Sequence, residues 1–124
     1  MFKRLFFVLV VMLGIFAAAP AAFAATWSKS TSGSSVLFNN NTQNPDTDLE
    51  GFQVCDTEAD GNSPYVDFVY NGGITTGRHY NRNGAGTCQN FYHSWPENRD
   101  LDFRSCEQRD NYPDDCSDYQ DAET

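Results

Sequence analysis

Residues 65–73 read Tyr-Val-Asp-Phe-Val-Tyr-Asn-Gly-Gly, and this stretch decides the fold class of the chain. Its first six residues are mostly β-branched or aromatic, and the strand period of two puts Val66, Phe68 and Tyr70 on one face. The Asn-Gly-Gly that follows favours a tight turn. Residues 75–80 are therefore expected to return as the second strand of a hairpin.

Two further segments, residues 51–55 and 101–106, alternate with the same period. No window sustains helical spacing over about 10–12 residues. The sequence therefore predicts an all-β domain, built as a small antiparallel meander, a sandwich or a partial barrel. The apolar positions expected to join the core from these two segments are Phe52, Val54, Leu101 and Phe103.

The cysteine content predicts two disulfides. Four cysteines are an even number, no C-x-x-C pair is present, and the two histidines are scattered, so zinc is the weaker interpretation. Three connectivities exist for four cysteines. We favour Cys55–Cys88 with Cys106–Cys116, because each pair links neighbouring segments and leaves the chain uncrossed.

Residues 1–24 have the pattern of a secretory signal peptide. The stretch has a positive start at Lys3 and Arg4, an apolar run over residues 5–16, and the small-x-small cleavage pattern Ala-Phe-Ala at 22–24. The apolar run is short for a membrane span and ends at a cleavage site. The protein is therefore predicted to be secreted and extracellular.

The charge balance argues against two classes of partner. The whole chain carries 8 basic and 17 acidic side chains, a net charge of −9. Cleavage before Ala25 would leave 6 basic against 17 acidic side chains, a net charge of −11. Nucleic acid and anionic lipid are bound mainly through Lys and Arg. We therefore expect no nucleic-acid partner and no membrane association after cleavage.

Composition divides the remaining chain into three parts. Residues 25–49 are rich in Ser, Thr, Asn and Asp and are expected to form a polar N-terminal arm or a loosely attached first strand. Residues 50–119 are the predicted disulfide-stabilised β domain. Residues 120–124 are predicted to be an acidic tail, and the end of the chain is expected to be frayed beyond Cys116, because it carries many like charges that repel one another.

An acidic loop between two predicted strands is the candidate metal site. Residues 56–62 read Asp-Thr-Glu-Ala-Asp-Gly-Asn, with oxygen ligands at alternate positions before a glycine, as in the opening of calcium loops. The other interpretation is an acidic Asp-Gly turn that joins two strands. The candidate calcium ligands are Asp56, Glu58, Asp60 and Asp67.

An aromatic cluster in a predicted loop between strands is the candidate binding site. Aromatic faces beside amide and hydroxyl groups suit a sugar or a protein contact. The other interpretation is a loop that folds over one end of the sheet as a lid. No G-x-S-x-G elbow or singled-out carboxylate pair indicates catalysis, and no catalytic residue is predicted. The candidate binding residues are Phe91, Tyr92, His93 and Trp95.

Several short motifs resemble small secreted proteins of unknown function that are common in actinomycetes. The run Val-Cys-Asp-Thr-Glu-Ala-Asp-Gly at 54–61 carries most of the likeness, which covers about residues 52–119. Weaker matches are Gly-x-Gly-x-Cys at 84–88, Arg-Ser-Cys-Glu at 104–107 and Cys-Ser-Asp-Tyr at 116–119. The resemblance implies an exported, disulfide-stabilised β domain and carries no activity with it.

Two functions are expected from these features. The first is a secreted, non-catalytic module that binds an extracellular protein, a glycan or a cell-wall component, with inhibition of an extracellular enzyme as one form of it. The second is a calcium-binding structural or adhesive extracellular protein. No cofactor other than calcium is predicted.

Overall fold

The structure is a computed structural model that describes residues 25–40 and 50–124. The predicted signal peptide lies outside the described residues. The described residues form nine strands and one short 3-10 turn at Asn71–Gly73. The strands are β1 (Thr26–Thr31), β2 (Ser34–Asn39), β3 (Glu50–Asp56), β4 (Pro64–Tyr70), β5 (Thr75–Tyr80), β6 (Cys88–His93), β7 (Asp100–Glu107), β8 (Asp115–Cys116) and β9 (Gln120–Glu123).

The strands form two antiparallel sheets, so the all-β prediction is confirmed. Sheet A has the order β1-β2-β3-β6. Sheet B has the order β5-β4-β7-β8, and β9 pairs with the same edge of β7 farther along the strand. The inner faces of the two sheets enclose one core, as in a small sandwich. No helix among the described residues is long and apolar enough to span a bilayer.

Seven of the nine core residues are alternate positions that the sequence pattern selected, and Val36 and Phe38 of β2 complete the core. Phe52 of sheet A stacks on Phe68 of sheet B, with ring centroids 5.3 Å apart. Phe103 meets Phe52 edge-on at 5.7 Å. Strand period alone puts these side chains on one face, and packing of the second sheet buries them. The core cluster is Val36, Phe38, Phe52, Val54, Val66, Phe68, Tyr70, Leu101 and Phe103.

Both predicted disulfides are present, Cys55–Cys88 and Cys106–Cys116. Each joins residues that face one another across neighbouring strands, β3 with β6 and β7 with β8. The bridges therefore fasten the edge strand β6 and the short strand β8 to the central strands of their sheets.

The two ends of the β domain differ from the sequence expectation. The described part of the polar arm contributes β1 and β2, which make half of sheet A, and Val36 and Phe38 enter the core. The expected acidic tail is instead β9, which pairs with β7, and Thr124 is buried. Backbone pairing and the burial of alternate residues outweigh the charge repulsion on which the expectation of a frayed tail relied.

Candidate functional site

The aromatic cluster predicted from sequence divides between the two faces of a strand. Residues 88–93 form β6, an edge strand of sheet A, where a loop was expected. Because side chains alternate along a strand, Phe91 and His93 point inward and Tyr92 points outward. Trp95 follows the strand and packs against the core. The structure therefore does not bring the four residues together as one surface.

The three inward residues of the cluster, Phe91, His93 and Trp95, form a column of stacked rings with residues of sheet B. This column covers the side of the core between β6 and β5. Trp95 stacks on Tyr70 at 4.5 Å and on His93 at 4.0 Å. His79, from β5 of the other sheet, stacks on Phe91 at 4.5 Å. This arrangement agrees with the lid interpretation of the cluster.

A histidine pair joins the two sheets within this column. The Nε2 atoms of His79 and His93 lie 2.8 Å apart, a hydrogen bond in which one ring donates and the other accepts. Burial lowers the pKa of His79. Burial and then the charge of His79 lower the pKa of His93 to about 4. The hydrogen bond needs one unprotonated ring as acceptor and so excludes two charged rings, and the lowered pKa values of both histidines favour two neutral rings.

The outer face of sheet A carries no charged side chain. Register fixes three outward positions on each of its four strands. The whole chain has a net charge of −9, so a face without charged side chains differs chemically from the average of the chain. The twelve outward residues are Thr26, Ser28, Ser30, Ser35, Leu37, Asn39, Gly51, Gln53, Cys55, Cys88, Asn90 and Tyr92.

A groove of about 340 Å³ crosses this face. Tyr92 is 65% exposed and forms one side of the groove. A Cβ atom on Gly51 would lie 3.1 Å from Cδ1 of Tyr92, so the glycine lets the ring lie close to the strand. The groove combines one aromatic ring, one half-exposed leucine and three amides. We call it the amide groove; its lining side chains are Leu37, Asn39, Gln53, Asn90 and Tyr92.

The outer face of sheet B has the opposite character. Asp67 accepts hydrogen bonds from Arg104 at 2.9 and 3.0 Å and lies 3.6 Å from Nε of Arg78. The guanidinium of Arg78 lies over the ring of Tyr65, and that of Arg104 lies over the ring of Tyr119. Asp67, a predicted calcium ligand, is therefore engaged with arginines on sheet B.

The remaining predicted calcium ligands are placed as follows. Glu58 and Asp60 lie in the loop after β3, and the acidic group that they form is completed by Glu107 at the end of β7. Oδ1 of Asp56 accepts the backbone N–H of Glu58 at 3.2 Å, and Asp56 is not in the group. The structure thus unites two of the four predicted ligands and adds Glu107.

Glu107 is the residue that sequence reasoning missed. The inward row of β7 runs Leu101, Phe103, Ser105, Glu107, so extending the alternation of residues 101–106 by one position would have placed Glu107 inside. Burial, and then the proximity of Asp60, raise the pKa of Glu107 to about 7. The same proximity lowers the pKa of Asp60.

No protein-family model, curated protein or solved structure matches this chain.

Proposed function

We propose that this chain is an exported, non-catalytic module that binds neutral polysaccharide through the amide groove. The observation that carries the proposal is the absence of charge from all twelve outward positions of sheet A in a chain of net charge −9. A neutral glycan offers apolar C–H faces and hydroxyl groups. A protein surface that binds it therefore needs an aromatic ring and uncharged hydrogen-bonding groups.

The lining of the amide groove fits those requirements. The exposed ring of Tyr92 offers an apolar face and a hydroxyl. The amides of Gln53 and Asn90 each provide donors and acceptors, and they lie side by side in one cross-strand row. Anionic glycans are disfavoured, since no Lys or Arg occupies the face.

Rigidity of the sheet supports recognition. The amide groove lies on three paired strands, and the Cys55–Cys88 bridge fastens β6, which carries Tyr92, to β3. A site on paired strands is preorganised, so little conformational entropy is lost on binding. Export is supported by the signal-peptide pattern of residues 1–24 and by the two disulfides, which persist in oxidising compartments.

Affinity electrophoresis and pull-down with neutral polysaccharides test the proposal. We expect Tyr92→Ala to weaken binding about tenfold, the equivalent of ~1.4 kcal/mol. The matched control is Tyr112→Ala, because Tyr112 is 73% exposed and lies outside the amide groove. Its binding should equal that of the unmodified protein.

Two results would contradict the proposal. One is failure of the unmodified protein to bind any neutral polysaccharide of a broad panel. The other is equal retention of the Tyr92→Ala and Tyr112→Ala variants. Gly51→Ala is an independent test and should also weaken polysaccharide binding. The added methyl group would crowd the ring of Tyr92 while leaving every polar group of the groove in place.

A further inference from the structure

Three carboxylates converge at the end of the sandwich that lies away from the amide groove. Glu58 and Asp60 reach the cluster from the exposed loop after β3, and Glu107 reaches it from the end of β7. Each offers one oxygen, and the three oxygens lie within 4.8 Å of one another. Two distant segments of the chain therefore present negative charge to one point.

The burial of Glu107 distinguishes this cluster from an ordinary acidic surface. Glu107 is only 2% exposed, and its Oε1 atom has no hydrogen-bond partner among the described residues. Buried polar atoms in native proteins are nearly all satisfied, so an unpaired carboxylate oxygen indicates a missing partner. A carboxylate oxygen accepts, and the partner must be a cation or a donor.

The turn between β1 and β2 closes over the same carboxylate. A Cβ atom on Gly33 would lie 2.5 Å from Oε1 of Glu107, and Gly33 has φ +78°, so both the space and the backbone conformation call for glycine. The hydroxyl of Ser32 donates to Oε2 of Glu58 at 3.2 Å. The turn thus holds two of the three carboxylates in position.

No Lys or Arg of the described residues forms an ion pair with any member of the cluster. The described ion pairs of the chain involve Asp67, Asp115 and Asp118 instead. The three carboxylates offer only oxygen atoms as metal ligands. This matches the preference of Ca²⁺, which takes six to eight oxygen ligands and accepts water among them. The exposed side of Glu58 and Asp60 leaves access for that water.

We propose that Glu58, Asp60 and Glu107 bind one Ca²⁺ ion, which fastens the loop after β3 to the end of β7. The site differs from the calcium loop predicted from sequence, because it excludes Asp56 and Asp67 and depends on a residue almost fifty positions farther along the chain. It is independent of the glycan proposal, since none of its ligands lines the amide groove.

Thermal melting and calorimetric titration of the disulfide-bonded protein with CaCl₂ test the site. Extracellular calcium modules bind with Kd of about 10⁻⁴–10⁻³ M. At 10 mM CaCl₂ such an affinity raises Tm by about 5 °C or more in a domain of this size, relative to NaCl of equal ionic strength. Calorimetry should give one ion per chain.

Variants identify the ligands. Glu107→Gln and Asp60→Asn should each abolish the calcium-dependent rise, and Asp60→Asn does so at an exposed residue whose replacement leaves the core intact. Asp56→Asn should keep the rise, because an asparagine Oδ1 can still accept the N–H of Glu58. Asp110→Asn, in the exposed segment after β7, is the control for the loss of one negative charge.

The proposal is overturned if CaCl₂ leaves Tm unchanged, or if Glu107→Gln and Asp60→Asn respond as the unmodified protein does. Loss of the response in Asp56→Asn but not in Glu107→Gln would return the site to the loop predicted from sequence. A protein that ignores calcium and is stabilised by Glu107→Gln would show that a proton, shared between Glu107 and Asp60, occupies the cluster. Tyr92→Ala should keep the full calcium response, which separates this test from that of the glycan proposal.

Discussion

At the residue scale, neighbouring aromatic side chains have different roles because strand geometry sends them to opposite faces. Tyr92 and Trp95 lie three positions apart, and their local sequence gives no reason to separate them. Tyr92 stands on the outer face with 65% of its surface exposed, whereas Trp95 is sandwiched between Tyr70 and His93. The first is therefore available to a ligand, and the second stabilises the fold.

Alanine substitutions measure this difference. Trp95→Ala should lower the free energy of unfolding by about 2 kcal/mol or more, because it removes two stacked contacts and opens the side of the core. Tyr92→Ala should change it by less than about 0.5 kcal/mol, as is usual for an exposed side chain. Urea unfolding followed by circular dichroism gives both values. Equal destabilisation by the two substitutions would contradict the assignment.

At the element scale, β9 pairs with β7 in spite of its charge. Asp121 faces Asp102 and Glu123 faces Asp100 in the register, so two pairs of acids lie directly across the strands. The hydrogen bond with Asp121, followed by burial, raises the pKa of Asp102. The pairing is held by the backbone ladder, by Ala122 against the core, and by Thr124, whose Oγ1 accepts the N–H of Arg99.

Relieving one acidic pair should therefore stabilise the sheet. Like charges directly opposite each other on neighbouring strands destabilise by up to about 1 kcal/mol, so Asp121→Asn should raise the free energy of unfolding by ~0.5 kcal/mol at pH 7. The gain should shrink in 1 M NaCl, where screening removes most of the repulsion. Asp110→Asn, in an exposed segment, serves as the control. A gain that is absent at low salt, or equal for both variants, would argue against cross-strand repulsion.

At the scale of the whole molecule, one hydrogen bond between His79 and His93 links the free edges of the two sheets. The groups that face the pair are aromatic rings and the buried Glu50, which lies opposite His93 on β3. The pKa of each histidine is lowered in the folded state, that of His93 to about 4 from 6.5. The stability that the neutral pair contributes is thus present above pH 6.5 and is lost as the pH falls toward 4.

Protonation of Glu107 changes the stability with pH in the direction opposite to that of the histidine pair. The effect of the histidines is therefore measured in a variant that lacks the Glu107 carboxyl group. The pKa of Glu107 is raised from 4.5 to about 7, and the stability linked to its protonated form is present below pH 4.5 and lost as the pH rises through 7. In calcium-free buffer, Glu107→Gln should lose stability between pH 6.5 and 4. Adding His93→Gln should make that loss smaller. Equal slopes of the unfolding free energy against pH for the two proteins would refute a role of the pair.

How far the sequence predicted the fold depended on how strongly each segment alternates. Residues 64–70 carry bulky apolar side chains at every second position, and residues 100–107 begin their inward row with Leu101 and Phe103. The strands of both segments were found within one residue of the expected ends. β1 and β9 are polar strands, with Ser, Lys, Asp and Gln in place of a hydrophobic row. Their pairing depends on neighbours that are distant in sequence, and local patterns cannot reveal it.

The same reason limited the prediction of the sites. The sequence drew attention to Glu58, Asp60 and Tyr92, because they lie in runs of chemically suggestive residues. It could not exclude Phe91 or Trp95 from the binding surface, since their burial depends on the second sheet. Nor could it bring Glu107 to the acidic loop, because that contact joins the loop after β3 of sheet A to the end of β7 of sheet B.

The sequence by itself determined the all-β class and the inward faces of β3, β4 and β7, and it favoured the observed pairing of the four cysteines among three possible connectivities. These follow from the period of two and from the order of segments along the chain, which are local properties. Only the tertiary structure decided which polar strands complete the sheets, which outer face is free of charge, and which carboxylates share one point in space. Those outcomes depend on register and on the packing of one sheet against the other, which a linear pattern does not contain.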